Sequence, residues 1–376
     1  MNALAVLIVI AACVFAQSLL YRKRWDKNIS LTLSFSETRA TEGDRLFLSE
    51  TLTNRKFLPL PWLSVKFQVS RHLLFEDQIN AQVSDDFYRS DLFRIFTYQR
   101  ITRRLRFECG RRGVYSVKSA EILSGDILAR HKFAKTVDTR SVNSSLIVYP
   151  RGVDLDVYFS IHKQFLGDVL SKRFIQPDPF TFRGIREYMP TDTLRSVNFK
   201  ATAKTGELMV NLRDYTVACE LIILFNLDPY VTYPNEELYE QTIRVIAALS
   251  AYYVCEGIPT GLAVNARDTE PIESGAGGDH LNRIYETLAR IVFAGGVSQK
   301  GKQMLDDEIR NQEAKRRAGR EPAYILLSTC HEKEIAEAFE RLRATGADAL
   351  WIIPVYREME INVPLGERVV RAEIME

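Results

Sequence analysis

The stretch CELIILFN, Cys219–Asn226, followed by EELYEQTIRVIAALSAYYVCEG, Glu236–Gly257, decides the fold of the carboxyl half. The first segment is a short apolar run without alternation, as expected of a strand covered on both faces. The second repeats apolar residues at helical spacing and stops at a glycine. The pairing recurs downstream. TGLAVNA precedes the helical DHLNRIYETLARIVFAGG, with Leu281, Ile284, Tyr285, Leu288, Ile291 and Val292 on one face. A charged helix around Gln303 to Gly319 leads into AYILLST, then the helical EKEIAEAFERLRATG and the strand ADALWIIPV. Strands alternating with helices of this length predict a doubly wound parallel sheet over residues 219–376, with ligands expected at the carboxyl ends of its strands.

Upstream the rhythm is different. ISLTLSFS from Ile29 and WLSVKFQV, Trp62–Val69, alternate apolar and polar residues, the mark of half-buried strands. EGDRLFLSETLTN, TRRLRFEC, RGVYSVKSAEIL and SSLIVYP add short strands separated by turns. They predict an Ig-like β-sandwich over residues 28–150. Residues 151–218 form a linker and signature segment, with one short helix expected before Phe180.

The amino end, ALAVLIVIAACVFAQSLL from Ala3 to Leu20, is uncharged and is followed by Arg22, Lys23, Arg24 and Lys27. A run of this length just spans a bilayer as a helix, so residues 1–21 are expected to be a transmembrane helix, with residues 3–20 in the lipid. The basic residues after the run place the following domains in the cytoplasm, as a single-pass protein of the cytoplasmic membrane. A cleaved export signal is the alternative, through IAAC or VFA, although no basic region precedes the apolar run.

Composition narrows the function. Fifty Lys and Arg against 48 Asp and Glu leave a net charge of +2, which disfavours nucleic-acid binding. Five scattered cysteines without CxxC or histidine partners fit structural thiols in a reducing compartment. The five histidines read as isolated surface residues.

The segment FRGIREYMPTDTLRSVNFKATAKTGELMVN, Phe182–Asn211, concentrates charge. It carries Arg183, Arg186, Arg195 and Lys200 among Tyr188, Pro190 and Asp192. Guanidinium groups can clamp an acidic partner, or pair with the neighbouring carboxylates as a brace between the two domains; the brace is the favoured reading. With RRGVY at residues 111–115 and IVYPR at 147–151, the segment resembles the bacterial domain of unknown function 58 family, whose signature is approximately RxYxPGDxxRxIxWKxSAxxxxLxV. Arg186, Tyr188, Pro190, Asp192, Arg195, Val197, Lys200, Ala203, Leu208 and Val210 match it. Thr191 and Phe199 depart from its usual Gly and Trp. The resemblance implies an anchor, a sandwich and a von Willebrand factor A-like domain, acting as an interaction or assembly factor with an AAA+ ATPase of the MoxR type. It implies no established activity.

Domains of the von Willebrand factor A type often hold a divalent cation through DxSxS after the first strand and further hydroxyl and carboxylate ligands. Here the corresponding positions are Asn226, Asp228 and Tyr230, with Thr329 or Cys330 at the end of the later strand. One carboxylate and one amide are a poor set for a hard cation, so no metal is expected. A metal-dependent adhesion or hydrolytic module using Asn226, Asp228 and Thr329 stands as the alternative. GVSQKGKQ, Gly296–Gln303, fits GxxxxGK but lacks the preceding strand and the final hydroxyl, so it reads as a solvated loop. Ala266–Asp279 reads as a Gly-rich loop, either partner-binding or unconstrained. No residue is expected to be catalytic and no cofactor is expected.

Overall fold

The computed structural model describes residues 3–125, 132–138, 144–153, 165, 182–188, 197–213, 220–229, 235–267, 269–293, 300–317, 322–356, 359 and 361–373, without the side chains of 3–6, 13, 182–184, 186, 211–213 and 313. They form two compact units, Met1–Arg151 with Tyr285–Ile291, and Gly152–Ile284 with Val292–Glu376.

The first unit opens with helix α1 (Ala3–Arg24). The helix continues past the expected end at residue 21 because its last turn does structural work. Tyr21 is buried and donates to the carbonyl of Pro59, and the Lys56 ammonium donates to the carbonyl of Arg24 at 3.1 Å, where a cation suits a helix carboxyl end. Counting described residues alone, no helix is long and apolar enough to cross a membrane.

The strands that follow are β1 (Ile29–Phe35), β2 (Arg39–Thr41), β3 (Arg45–Asn54), β4 (Leu60–Ser70), β5 (Leu73–Phe75), β6 (Ala81–Val83), β7 (Asp86–Ile95), β8 (Arg100–Cys109), β9 (Gly113–Ser116), β10 (Ser119–Gly125), β11 (Lys132–Thr136) and β12 (Ser145–Tyr149). A four-stranded sheet, β1-β3-β8-β5, faces a five-stranded one, β11-β10-β4-β7-β6, and a three-stranded sheet, β2-β12-β9, completes the unit. The two larger sheets share one core: Leu31, Leu33, Leu48 and Phe107 from the first meet Val65, Phe67, Phe87 and Ile122 from the second. Phe75 and Phe87 stack across the gap at 4.5 Å. This unit is a β-sandwich, and the strict alternation of Ile29–Phe35 appears as alternate burial along β1.

One part of that core is ionic. On β7, Arg89 and Asp91 share the inward face with Phe87 and Ile95, and Arg89 donates to Asp91, to Asp77 at 2.9 Å and to the Asp77 carbonyl. Arg103 of β8 bridges Asp91 at 3.0 Å and Asp77 at 3.1 Å. Opposite Arg103 on β3 stands Glu50, 1% exposed, whose two carboxyl oxygens accept no hydrogen bond among the described residues. Burial first, and then the Asp91 charge, push its pKa up to about 7 against the pull of Arg103 and Arg89.

The second unit begins, among described elements, with the hairpin β13 (Phe182–Glu187) and β14 (Met209–Arg213), with α2 (Phe199–Thr205) between them. It continues with β15 (Leu221–Asn226), α3 (Glu236–Cys255), β16 (Thr260–Val264), β17 (Ile272–Gly275), α4 (Gly278–Arg290), whose residues from Tyr285 onward are grouped with the first unit, α5 (Lys300–Arg317), β18 (Ala323–Ser328), α6 (Lys333–Ala344), β19 (Ala349–Val355) and β20 (Val369–Glu373). Its six-stranded sheet has the order β17-β16-β15-β18-β19-β20. β15, β16, β18 and β19 are buried along their whole length. Leu305, Ile335 and Phe339 of α5 and α6 cover Ile222, Leu224, Leu326 and Trp351 on one face, and α3 lies against β16 and β19.

Two expectations need correction. The sheet is mixed, because β17 runs antiparallel to β16 at the edge, and it gains a further parallel strand in β20. Ala266–Asp279 is therefore not simply a loop, since β17 lies inside it. Val292, expected on the buried face of its helix, lies beyond the end of α4 and is 79% exposed.

Candidate functional site

The strand order reverses beside β15: the chain leaves it through α3 to β16 on one side and takes up β18 on the other. In an open α/β sheet the crevice at such a point, at the carboxyl ends of the strands, is where ligands bind. The residues gathered there are Asn226 and Asp228 after β15, Asn265 after β16, and Ser328 and Thr329 at the end of β18. They lie side by side because the parallel register sets Phe225 opposite both Val264 and Leu327, so the three polar strand ends align.

The side-chain oxygens of Asn226, Asp228, Ser328 and Thr329 in this cluster each have a hydrogen-bond partner within the protein. The Asn226 side-chain oxygen accepts from the Asp228 N–H at 3.0 Å and from Asn265 Nδ2 at 2.7 Å. Asn226 Nδ2 donates to Ser328 Oγ at 2.9 Å, and Ser328 Oγ in turn donates to the Cys330 carbonyl. Asp228 Oδ1 accepts from Asn265 Nδ2 at 3.0 Å, and Oδ2 accepts from the Gly301 N–H at 2.7 Å. Thr329 Oγ1 donates to the Tyr239 hydroxyl at 3.1 Å.

The consequence is that Asp228 receives the first turn of α5. A carboxylate at a helix amino end meets free N–H groups and the positive end of the dipole, so the helix supplies the positive partner that a cation would otherwise provide. Burial still dominates and raises the Asp228 pKa, offset by the Gly301 and Asn265 donors and reinforced by the exposed Glu332. Burial likewise raises Tyr239, and it pushes the Cys330 thiol up to about 11, away from nucleophilic use.

The geometry fits a divalent cation poorly. A hard ion takes oxygen ligands with their lone pairs free, whereas both Asp228 oxygens and the Asn226 oxygen face N–H donors. No group of three or more His, Cys, Asp or Glu side chains gathers for a metal among the described residues.

Gly301 is the residue on which this arrangement depends. A Cβ there would lie 2.4 Å from Asn226 Oδ1 and 2.7 Å from Asp228 Oδ2. Of the stretch Gly296–Gln303, read as a solvated loop, residues 296–299 lie outside the described residues and the rest is corrected: Lys300 starts a helix and Gly301 is buried against the carboxylate. The histidines are corrected too, since His280 and His331 are buried, with ring nitrogens against the carbonyls of Thr260 and Thr329.

Of the positions singled out from sequence, Asn226, Asp228 and Thr329 come together, while Tyr230 lies outside the described residues. Asn265, Gly301 and Tyr239 were missed. Asn265 ends its strand one residue beyond Val264, as Asn226 does beyond Phe225, so aligning strand ends would have revealed it.

The signature segment is described only in part. Arg186 stands opposite Val210 in the β13–β14 ladder, and Arg183 lies at its irregularity. The Tyr188 N–H donates to the Leu208 carbonyl at 2.9 Å. Asn198 caps α2 by accepting from the Ala201 N–H, Gly206 closes the helix at φ 80°, and Lys200 is exposed in its first turn. Pro190, Asp192 and Arg195 lie outside the described residues, as does most of the expected helix before Phe180.

In the first unit, the RRGVY motif has a visible task. Arg112 is 5% exposed, and its Nη1 donates to the carbonyls of Leu288 at 2.6 Å and Ile291 at 3.0 Å, capping the end of α4. Its own N–H donates to Glu42 at 2.7 Å, and the Tyr115 hydroxyl donates to the carbonyls of Arg111 and Arg112.

No family model matches the chain, and no curated protein matches it. Among solved structures, it is similar to domains D2 and D3 of the major pilin SpaD from Corynebacterium diphtheriae, at 6% identity and a TM-score of 0.23, over 29% of this chain and 50% of that one. It is also similar to a non-cellulosomal cohesin from Archaeoglobus fulgidus, at 12% identity and a TM-score of 0.22, over 35% of this chain and 98% of the cohesin. Native alpha-2-macroglobulin from Escherichia coli, from domain MG7 to the carboxyl terminus, matches at 14% identity and a TM-score of 0.23, over 32% of this chain and 23% of that one. The chain thus spans half of the pilin structure and less than a quarter of the macroglobulin one. The sandwich assignment rests on the two packed sheets themselves.

Proposed function

We propose that this chain is a membrane-anchored, cytoplasm-facing interaction or assembly protein without catalysis of its own. Its α/β unit, which the sequence resemblance reads as von Willebrand factor A-like, docks a protein partner. The resemblance carried by Arg186, Tyr188, Pro190, Asp192 and Arg195 points to the domain of unknown function 58 family, and to a MoxR-type AAA+ ATPase as that partner.

The observation that carries the reading is the closed strand-end cluster. At the place where this class of sheet performs chemistry or holds an ion, the ligand oxygens are spent on Asn265 and on the amino end of α5. Anchorage is supported by α1, where Leu7, Ile8, Val9, Ile10, Phe15, Leu19 and Leu20 are each 48–66% exposed. Water solvates such a surface poorly, and lipid removes the cost.

The test is affinity purification of the tagged full chain from solubilised membranes, beside the double variant Arg186→Glu with Arg195→Glu. The reading expects an AAA+ ATPase to co-purify with the wild type and to be lost, or reduced about tenfold, with a folded double variant. An unchanged partner set would remove the signature from the contact surface, and measurable hydrolysis by the purified chain that is abolished in Asp228→Ala would refute the non-catalytic reading.

A further inference from the structure

The end of the sandwich that receives α1 carries three bare aromatic rings: Phe57 is 80% exposed, Phe96 59% and Tyr98 69%. They sit on the β3–β4 and β7–β8 loops, which are tied to each other. The Tyr98 N–H donates to the Lys56 carbonyl at 3.3 Å, the Thr97 hydroxyl to the Phe57 carbonyl at 2.7 Å, and Asn54 Nδ2 to the carbonyls of Phe96 at 2.9 Å and Leu58 at 3.0 Å. Tyr98 is also held at φ 52°, a left-handed conformation that a tyrosine adopts only where its surroundings enforce it. The rings are therefore presented by a bonded frame.

The same frame grips the foot of α1. Tyr21 donates to the Pro59 carbonyl at 2.8 Å, Lys56 donates to the carbonyls of Arg24 and Trp25, and Trp25 stacks on Phe133 at 5.8 Å. Exposed cations surround this junction: Arg22, Lys23, Arg24 and Lys27 from the helix end, Arg55 and Arg100 from the loops. Asp26 is the acid among them, half-buried, with its carboxylate 3.9 Å from Lys135.

We infer that these two loops form a second membrane contact, seating Phe57, Phe96 and Tyr98 in the interfacial layer of a bilayer that carries anionic lipid, beside the point where α1 enters it. Aromatic rings flanked by Lys and Arg are what this layer accommodates: apolar bodies reach below the headgroups while cations meet lipid phosphates. Continuity with α1 selects the bilayer over a protein or a second copy of the chain, because the loops that carry the rings are hydrogen-bonded to the foot of that helix and are held beside the lipid surface once it inserts. The inference rests on the anchorage reading above.

The test uses the full chain in nanodiscs of brominated phosphatidylcholine, with and without phosphatidylglycerol. Phe57→Trp reports on the seat, and Tyr88→Trp on β7 is the control, with the quenching of the native tryptophans subtracted. The expected result is a blue-shifted Phe57→Trp emission quenched about threefold more than Tyr88→Trp, strengthened by phosphatidylglycerol and weakened by Lys27→Glu with Arg55→Glu. A water-like, unquenched Phe57→Trp in a chain that resists alkaline extraction overturns the seat and leaves the anchor standing. Release of the chain by alkaline extraction overturns the anchor and the seat with it. Shielding of Phe57→Trp that follows protein concentration in detergent assigns the rings to a second copy and also overturns the inference.

Discussion

Replacing Glu50 with Gln should make the sandwich more stable at neutral pH and remove the decline in stability that Glu50 itself contributes as pH rises from about 5 to about 8. Glu50 is buried opposite Arg103, beside an Arg89, Asp91, Asp77 and Arg103 cluster whose charges already balance, and its pKa is raised from an ordinary 4.5 to about 7. A carboxyl with a raised folded-state pKa keeps its proton where the unfolded chain has released it. Its contribution is therefore complete below pH 4.5, declines as pH rises, and is lost above pH 7. At about 1.4 kcal/mol per pKa unit, the loss between pH 5 and pH 8 comes to roughly 2–3 kcal/mol. The assay is urea unfolding of the full chain in detergent at a series of pH values. A Trp351→Phe background leaves Trp25 and Trp62, both in the first unit, as the reporters. Wild type minus Glu50→Gln should slope downward with pH over that interval. A difference that is flat, or a Glu50→Gln protein less stable at pH 8, would refute the assignment of a neutral, unpartnered carboxyl.

Three further outcomes follow from the geometry. Gly301→Ala should destabilise the α/β unit by about 1–3 kcal/mol in denaturant melts followed through Trp351, because the new methyl overlaps the Asn226 and Asp228 oxygens; a neutral substitution would mean that α5 does not start on Asp228. Asp228→Asn should cost about 1–3 kcal/mol by the same measurement, since one of the two carboxylate oxygens becomes an NH2 group that faces the Gly301 or the Asn265 donor in place of an acceptor. Arg112→Met should cost roughly 1.5–3 kcal/mol and increase hydrogen exchange at the end of α4, whose carbonyls it caps; unchanged exchange there would remove that role.

Much of this architecture was legible because burial imposes its period on sequence. The alternation of Ile29–Phe35 and the unbroken apolar runs of β15, β16, β18 and β19 each identify a strand and the number of its covered faces. β17, with the sequence IESG, and β20, with VVRAE, escaped notice because edge strands need little apolar content. The ionic cluster in the sandwich contradicts the rule that inward positions are apolar, yet the same period of two places Arg89 and Asp91 on the face of Phe87 and Ile95, and that was the available signal. At the strand ends, Asn226 and Asp228 were visible as weak ion ligands. What replaces the ion was not, because Asn265 and Gly301 are distant in sequence and are brought to Asp228 only by parallel register and by the start of α5.

The most direct test of the account is a thermal melt of the full chain in detergent across millimolar Mg²⁺ and Mn²⁺, with Asp228→Ala alongside. An oxygen cluster already supplied with donors by Asn265 and α5 predicts melting curves that do not move with either metal. A saturable upward shift in the wild type, absent from Asp228→Ala, would contradict it by mass action and return the strand ends to the role of a cation site.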